Sequence, residues 1–193
     1  MSKASSQLLQ LGADAPDFSL AEPDGNVIRR DDFRGHKGLL VLFICNHCPY
    51  VKHVRDVLAD IGRVYADKGV GIVAINSNDY EAYPEDSPAA MKDEVALAGY
   101  TFPYVIDEDQ AVAKAYGAAC TPDPFFFDAD FRLVYRGQLD ATRPNSGRTA
   151  TGKDLRSALD ALLDNQPPVT EQFPSVGCGI KWKPGNEPSL VIS

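Results

Sequence analysis

The stretch LVLFICNHCPYVKHV, residues 40–54, joins an apolar run to a pair of cysteines and then to a helical pattern. The apolar run covers residues 38–44 and has the length and continuity of a central strand that is buried on both faces. After Pro49 the apolar residues recur at helical spacing to about residue 68, and proline suits a first helical turn because its missing N–H has no partner there. The stretch therefore predicts a buried strand, a Cys-x-x-Cys turn and a helix, in that order.

The turn between this strand and helix has the features of a reactive thiol site. Cys45 lies at the positive end of the helix dipole, near backbone N–H groups without a helical partner, and this position favours a thiolate. His47 lies between Cys45 and Cys48, where an imidazolium would stabilise an anionic sulfur further. An exposed turn residue is the alternative interpretation of His47. The pattern predicts a dithiol that is more oxidising than an average pair.

The composition narrows the class of protein. A chain of 193 residues suits one domain with a substantial core, and its formal charge of -8 argues against nucleic-acid or anionic-membrane partners, which favour clustered Lys and Arg. The first residues lack the apolar segment of a signal peptide, and no window approaches the roughly 18 apolar residues of a membrane span. Four cysteines are too few for a secreted disulfide scaffold. We therefore expect a cytoplasmic protein whose close cysteine pair is catalytic or metal-binding.

The rest of the chain alternates predicted strands and helices. Short strands flank a turn at residues 23–25, and a second buried strand covers 69–77. A helix then runs from 87 to about 99, and a short strand and a short helix cover 104–117. A hairpin follows, with strands at 125–127 and 133–135, and a last helix covers 153–164. This order predicts an α/β fold, a mixed sheet with helices on both faces. We expect one domain with an N-terminal β extension (1–36), a core (37–165) and an extended, proline-rich C-terminal arm (166–193).

A Thr-Pro pair far along the chain adds to the pattern of strand, Cys-x-x-Cys turn and helix. Thr121 and Pro122 come just before the aromatic strand of the predicted hairpin. A strand, a Cys-x-x-Cys turn, a helix and then Thr-Pro before an aromatic strand together resemble the thioredoxin fold. The resemblance implies that Pro122 is cis and faces the dithiol, and that the backbone of Thr121 binds substrate as an added strand.

Four segments narrow the resemblance further. CNHCPYVKHV (45–54), CTPDPFFFD (120–128), VYRGQLD (134–140) and GCGIKWKPGN (177–186) together are similar to the peroxiredoxin-like branch of this superfamily, labelled AhpC/TSA or redoxin. In the thioredoxin frame Cys45 is the exposed nucleophile and Cys48 the resolving thiol, so the resemblance implies thiol–disulfide exchange. The implied partners are protein or small-molecule disulfides and a thiol reductant such as a thioredoxin or glutathione system. No cofactor is expected.

Peroxide reduction, an antioxidant activity, is the alternative function. Peroxiredoxins carry a Pro-x-x-x-Thr-x-x-Cys motif, in which the last cysteine attacks peroxide. Aligned with this chain, the motif places Cys48 at the attacking position. Val41 and Cys45 then replace the proline and the threonine that binds peroxide. Arg136 or Arg143 would have to supply the arginine that lowers the thiol pKa, and solvated surface charges are the alternative interpretation of both.

Several auxiliary residues follow from the thioredoxin frame. Thioredoxins carry a buried acid six residues before the first cysteine, where this chain has Leu39, so Asp79 or Glu81 becomes the candidate proton acceptor. Cys120 and Cys178 are either small buried residues or partners in a second disulfide that resolves or protects the oxidised centre. For that second disulfide we expect Cys120 in preference to Cys178, because Cys120 comes two residues before Pro122.

Two further classes of protein stay open at this point. A structural zinc module would use the cysteines and histidines of the chain as ligands, with this candidate set: Cys45, Cys48, His47 or His53, and Cys178. Zinc sites usually contain a second closely spaced ligand pair, and Cys178 has neither Cys nor His near it in sequence. A non-catalytic interaction domain is the other class, and its activity would survive the loss of either cysteine of the motif.

Overall fold

The computed structural model describes residues 3–4 and 9–188. The described chain contains these strands and helices: β1 (Lys3–Ala4), β2 (Ser19–Ala21), β3 (Val27–Arg29), β4 (Gly38–Phe43), α1 (Pro49–Asp67), β5 (Val70–Asn76), α2 (Pro88–Ala98), β6 (Tyr104–Ile106), α3 (Ala111–Tyr116), β7 (Cys120–Thr121), β8 (Asp123–Asp128), β9 (Leu133–Arg136), α4 (Lys153–Leu163) and β10 (Gly177–Gly179). Short 3-10 helices cover Arg30–Phe33 and Pro84–Asp86. The outer ends of the predicted N-terminal extension and C-terminal arm lie outside the described residues.

The central sheet is mixed and has seven strands in the order β3-β2-β6-β5-β4-β8-β9. Strand β4 lies parallel to β5 and antiparallel to β8, so it is hydrogen-bonded on both edges. Its side chains alternate between two cores: Leu40 and Leu42 pack with helices α1, α2 and α4, whereas Leu39 and Val41 pack with α3. Helices therefore cover both faces, and the predicted thioredoxin-like fold is confirmed.

A second, smaller sheet lies beside the first and was not predicted. Its three strands have the order β1-β10-β7. Strand β10 comes from the C-terminal segment and pairs antiparallel with β7, with Cys178 opposite Thr121 and Gly179 opposite Cys120. This pairing places the C-terminal segment along the backbone that leads into Pro122.

Before β10 the C-terminal segment runs across β9. Ser175 donates a hydrogen bond to the carbonyl of Gly137, and the N–H of Gln138 donates to the carbonyl of Phe173. In the part of the chain that the structure describes, no helix is long and apolar enough to cross a membrane.

The loop before α4 depends on one carboxylate, Asp140. It accepts the backbone N–H of Thr142, Thr151 and Gly152 at 2.7–2.8 Å. Burial alone would raise the pKa of this carboxyl, but the hydrogen bonds outweigh it and lower the pKa to about 2. Because this folded-state pKa lies below the unfolded value, the stabilisation is present above about pH 4 and is lost as the pH falls toward about 2.

We therefore expect Asp140→Asn to lower the free energy of unfolding by about 1–2 kcal/mol near neutral pH. The difference from the parent protein should shrink between about pH 4 and pH 2, as urea unfolding at several pH values would show. Asp130→Asn, in an exposed turn, is the matched control and should change little. A difference that did not depend on pH would contradict this account of Asp140.

Candidate active site

The two cysteines of the motif meet at Thr121. Cys45 follows the end of β4, and Cys48 is the N-cap residue of α1, with Pro49 as the first helical residue. The Cys45 Sγ lies 3.3 Å from the Thr121 Oγ1, and the Cys48 Sγ lies 3.2 Å from the Thr121 carbonyl oxygen. The Thr121–Pro122 peptide bond is cis, as the resemblance implied. The structure thus brings residues from opposite ends of the core into one site.

Both thiols are buried, and the expected exposure of Cys45 is wrong. The relative exposure of Cys45 is 1% and that of Cys48 is 0%. The two residues belong to one buried cluster that also contains Cys178 of β10. A disulfide substrate reaches either sulfur only when some of the residues that bury the two thiols move.

The interaction between the two thiols governs how the pair titrates. It raises the pKa of Cys45 well above its ordinary value, and burial and the Asp86 carboxylate raise it further. The same interaction lowers the pKa of Cys48 to about 5, with the Cys178 thiol and a backbone N–H of α1 acting in the same direction. Burial opposes a charge on Cys48, but the hydrogen bonds outweigh it. The two thiols titrate as a coupled pair, in which the surroundings favour the charged form at Cys48 more than at Cys45.

A buried carboxylate that the sequence did not single out holds the motif in place. Asp86 is fully buried, and its side chain accepts the backbone N–H of Asn46 at 2.7 Å and the Nδ2 of Asn78 at 2.7 Å. The His47 Nδ1 lies 2.6 Å from the Asp86 Oδ2, and the imidazole stacks on the ring of Tyr83 with the centroids 5.7 Å apart. Asp86 therefore connects the turn between the cysteines to the loop after β5.

The two acids proposed from the sequence have other positions. Glu81 is exposed. Asp79 is buried, and its side chain accepts the backbone N–H of Glu81 and Ala82 at 3.2 and 3.4 Å. The carboxylate that contacts the motif is Asp86, seven residues further along the chain.

The two candidate arginines are engaged elsewhere. Arg136 donates to the carbonyl of Gly117 at 2.8 Å, its guanidinium lies 4.7 Å from the ring centroid of Phe125, and burial lowers its pKa. Arg143 donates to the Gln138 side chain at 2.6 Å and to two carbonyls of its own loop. Neither guanidinium is therefore placed to hold the charge of a thiolate at Cys45 or Cys48.

The other two cysteines differ in where their sulfurs lie. The Cys120 Sγ lies 3.9 Å from the carbonyl oxygen of Pro122, and burial raises the pKa of this thiol. Cys178 lies against the dithiol: burial, together with a hydrogen bond to Cys48, raises its pKa to about 12. The structure thus places Cys178, and not the preferred Cys120, in contact with the motif.

One group of side chains in the described residues has the geometry of a metal site. The ligand atoms of Cys45, His47 and Asp86 all lie within 4.8 Å of one another. His53, another ligand in the zinc alternative, instead has its Nε2 at 2.9 Å from the Thr142 hydroxyl. The Asp86 oxygens already accept hydrogen bonds from the motif, so a metal ion would have to compete with those bonds.

Replacing His47 should change the titration of the dithiol. The Asp86 carboxylate raises the pKa of Cys45, and the His47 Nδ1 lies 2.6 Å from that carboxylate, so removing the imidazole leaves the charge of Asp86 without this partner. His47→Ala should therefore raise the pKa of Cys45, as measured by the ultraviolet absorbance of the thiolate in a pH titration. It should also make the redox potential of the pair more reducing. The control is His36→Ala, at an exposed position. An unchanged titration would leave His47 as a turn residue.

The fold and the paired thiols define a class, the thioredoxin-fold oxidoreductases that act on thiols and disulfides. Within that class the chain belongs to the redoxin family, whose sequence model matches residues 10–153.

A relative of known class supports this assignment, and two solved structures are similar along nearly the whole chain. The chain is 30% identical over 154 residues to the thiol-disulfide oxidoreductase ResA of Geobacillus thermodenitrificans, covering 79% of this chain and 78% of that protein. Among solved structures, an uncharacterized conserved protein from Geobacillus kaustophilus is 53% identical, with a TM-score of 0.92, over 96% of this chain and 98% of that one. A hypothetical protein from Sinorhizobium meliloti 1021 is 48% identical, with a TM-score of 0.92, and the match covers 94% of this chain and 99% of that one.

Proposed function

We propose that the protein exchanges disulfides through the Cys45–Cys48 pair, with Cys45 as the nucleophile and Cys48 as the resolving thiol. The observation that carries the proposal is the contact of both sulfurs with Thr121, at 3.3 and 3.2 Å, beside the cis peptide bond to Pro122. Exchange requires a thiolate, and Cys48, whose pKa is lowered, lies beside Cys45 in the same buried cluster, so the pair can supply one when the Cys45 proton passes to Cys48.

The surroundings of the motif show where a substrate can approach. Both thiols are buried, and the Cys48 Sγ lies 3.2 Å from the Thr121 carbonyl oxygen. The residues that follow Cys45, Asn46 and His47, line an open groove of about 820 Å³ that continues along α1 and α2. A substrate that enters from this groove reaches the turn between the two cysteines.

The exchange conserves atoms and electrons without a further reactant. The proton of Cys45 passes to Cys48, and the Cys45 thiolate attacks one sulfur of a substrate disulfide. That step breaks the substrate disulfide, forms a mixed disulfide at Cys45 and releases the other substrate sulfur as a thiolate, which takes a proton from solvent. Cys48 then attacks the Cys45 sulfur, its proton passes to the second substrate sulfur, which leaves as a thiol, and the Cys45–Cys48 disulfide forms. A thiol reductant, such as a thioredoxin or glutathione system, restores the dithiol. The cytoplasmic location and the identity of the substrate stay predictions.

Peroxide reduction is the second candidate, and one observation favours it. Cys48, whose pKa falls to about 5, occupies the attacking position of the peroxiredoxin pattern. The threonine position of that pattern is Cys45, and the two candidate arginines are engaged elsewhere. Disulfide exchange therefore fits the site better.

A side-by-side assay separates the two functions. The purified protein is given insulin in one assay and hydrogen peroxide in the other, each with a thioredoxin or a glutathione reducing system. We expect disulfide turnover to exceed peroxide turnover by at least about tenfold. Faster peroxide turnover would replace disulfide exchange with the peroxidase alternative.

A further inference from the structure

Strand β10 occupies the backbone edge at which a substrate strand is expected to add. It pairs antiparallel with β7, and Cys178 lies directly opposite Thr121 in the register. Side chains of directly opposed residues in an antiparallel pair point to the same face of the sheet. The Thr121 side chain points at Cys45, 3.3 Å away, so the Cys178 side chain also points toward the dithiol.

The C-terminal segment is fixed on both sides of Cys178. The N–H of Ile180 donates to the carbonyl of Ala119 at 3.1 Å, and the N–H of Lys181 donates to the Asn78 side chain at 2.8 Å. On the other side, a Cβ at Gly177 would lie 2.0 Å from the Thr121 carbonyl oxygen, so only glycine permits this approach. The position of Cys178 is therefore specified by the fold.

We propose that Cys178 is a third redox-active cysteine of this site, which takes over the disulfide from the Cys45–Cys48 pair. This inference rests on the proposed function and adds a step to it. The Cys178 thiolate attacks the Cys48 sulfur of the Cys45–Cys48 disulfide. The Cys48–Cys178 bond forms, the Cys45–Cys48 bond breaks, and Cys45 leaves as a thiolate that takes up the proton lost by Cys178. The number of disulfides is unchanged, so no oxidant is required.

The charges around Cys178 allow this step to follow oxidation of the dithiol. In the reduced site the hydrogen bond and the charge of Cys48 both raise the pKa of Cys178. A Cys48 that is part of a disulfide carries no charge, so this contribution is lost. Lys181 and the backbone N–H of Tyr50 lower the pKa of Cys178. Cys178 therefore becomes a better nucleophile once its target has formed.

Cys120 does not have this geometry. Cys120 and Thr121 are consecutive in β7, and consecutive side chains of a strand point to opposite faces. Of the two, only Cys178 belongs to the buried cluster that contains Cys45 and Cys48. Cys120 is therefore the matched control for a disulfide that involves Cys178.

Disulfide mapping tests the proposal. The reduced protein is treated with oxidised glutathione, quenched with acid, alkylated and digested, and the linked peptides are identified by mass spectrometry. We expect a Cys48–Cys178 peptide beside the Cys45–Cys48 peptide in the parent protein, complete loss of the former in Cys178→Ser, and the parent pattern in Cys120→Ser. In Cys45→Ser the same Cys48–Cys178 link should be the intramolecular disulfide that forms.

The outcomes separate this inference from the function on which it rests. A Cys45–Cys48 disulfide alone, with Cys178 still alkylated after unfolding, would overturn the role of Cys178 and leave the proposed function intact. A link from Cys48 to Cys120 would overturn the choice of Cys178. The absence of any disulfide at Cys45 or Cys48 would overturn the proposed function and the third cysteine with it.

Discussion

Replacement of Cys45 by serine should reduce disulfide turnover on the order of 10³-fold or more. The sulfur at this position forms the bond to substrate, and a serine hydroxyl stays protonated near neutral pH and does not attack a disulfide. The surrounding structure should persist, since serine has nearly the same size and can bond to the Thr121 hydroxyl. The rate of insulin reduction, with circular dichroism to check folding, measures the loss.

Cys48→Ser and Cys120→Ser complete this series. Cys48→Ser should lose steady-state turnover to a similar extent, because the mixed disulfide at Cys45 is no longer resolved, yet it should release up to one substrate thiol per protein in a single turnover. Cys120→Ser should keep turnover within about twofold. A Cys45→Ser variant that retained a tenth or more of the parent rate would show that Cys45 is not the nucleophile.

Gly177→Ala should uncover the dithiol. The added Cβ would lie 2.0 Å from the Thr121 carbonyl oxygen, which is backbone and cannot rotate away, so β10 has to lift from β7. Overpacking of this kind costs about 1–3 kcal/mol. Because 1.4 kcal/mol is a factor of ten, the open form should become about fivefold to a hundredfold more populated.

Alkylation kinetics measure this opening. The rate at which iodoacetamide modifies Cys45 and Cys48 should rise by the same factor in Gly177→Ala, since both thiols are buried in the parent structure. Gly147→Ala is the matched control, because φ is +68° there and the added Cβ meets no atom within 4 Å, so the change strains an exposed loop and leaves β10 in place. Equal rates in the parent protein and Gly177→Ala would mean that β10 does not cover the site.

The fold was predictable because its elements carry strong local patterns. The apolar run that became β4 is buried along its whole length, and α1 begins at Pro49 as its spacing predicted. Residues Phe125 to Phe127 and Leu133 to Tyr135 lie in the two strands of the predicted hairpin. Each of these segments is long enough, or bounded sharply enough by turn residues, for local sequence to determine its structure.

The electrostatics of the site were less predictable, since they depend on distant residues. Asp86 lies among turn-forming residues, a context typical of solvated acids, and no local pattern indicates that Asn46 and Asn78 will bury it. Strand β10 consists of Gly-Cys-Gly, and glycine is depleted in strands, so its pairing follows from the free edge of β7. The expectation that Cys45 would be exposed was wrong because it considered only the helix and His47, and not the strand β10 that packs against the motif.

The bond between Cys45 and substrate is the central claim, and trapping it is the most direct test. Cys48→Ser and Cys45→Ser are each made in a Cys178→Ser background, so that the third thiol cannot release the substrate. Both are incubated with insulin, alkylated and separated without reductant, and the adducts are mapped by mass spectrometry. The account predicts a covalent adduct at Cys45 in the Cys48→Ser protein and almost none in the Cys45→Ser protein. An adduct found only in the Cys45→Ser protein, on Cys48, would contradict the account and favour the peroxiredoxin-like arrangement.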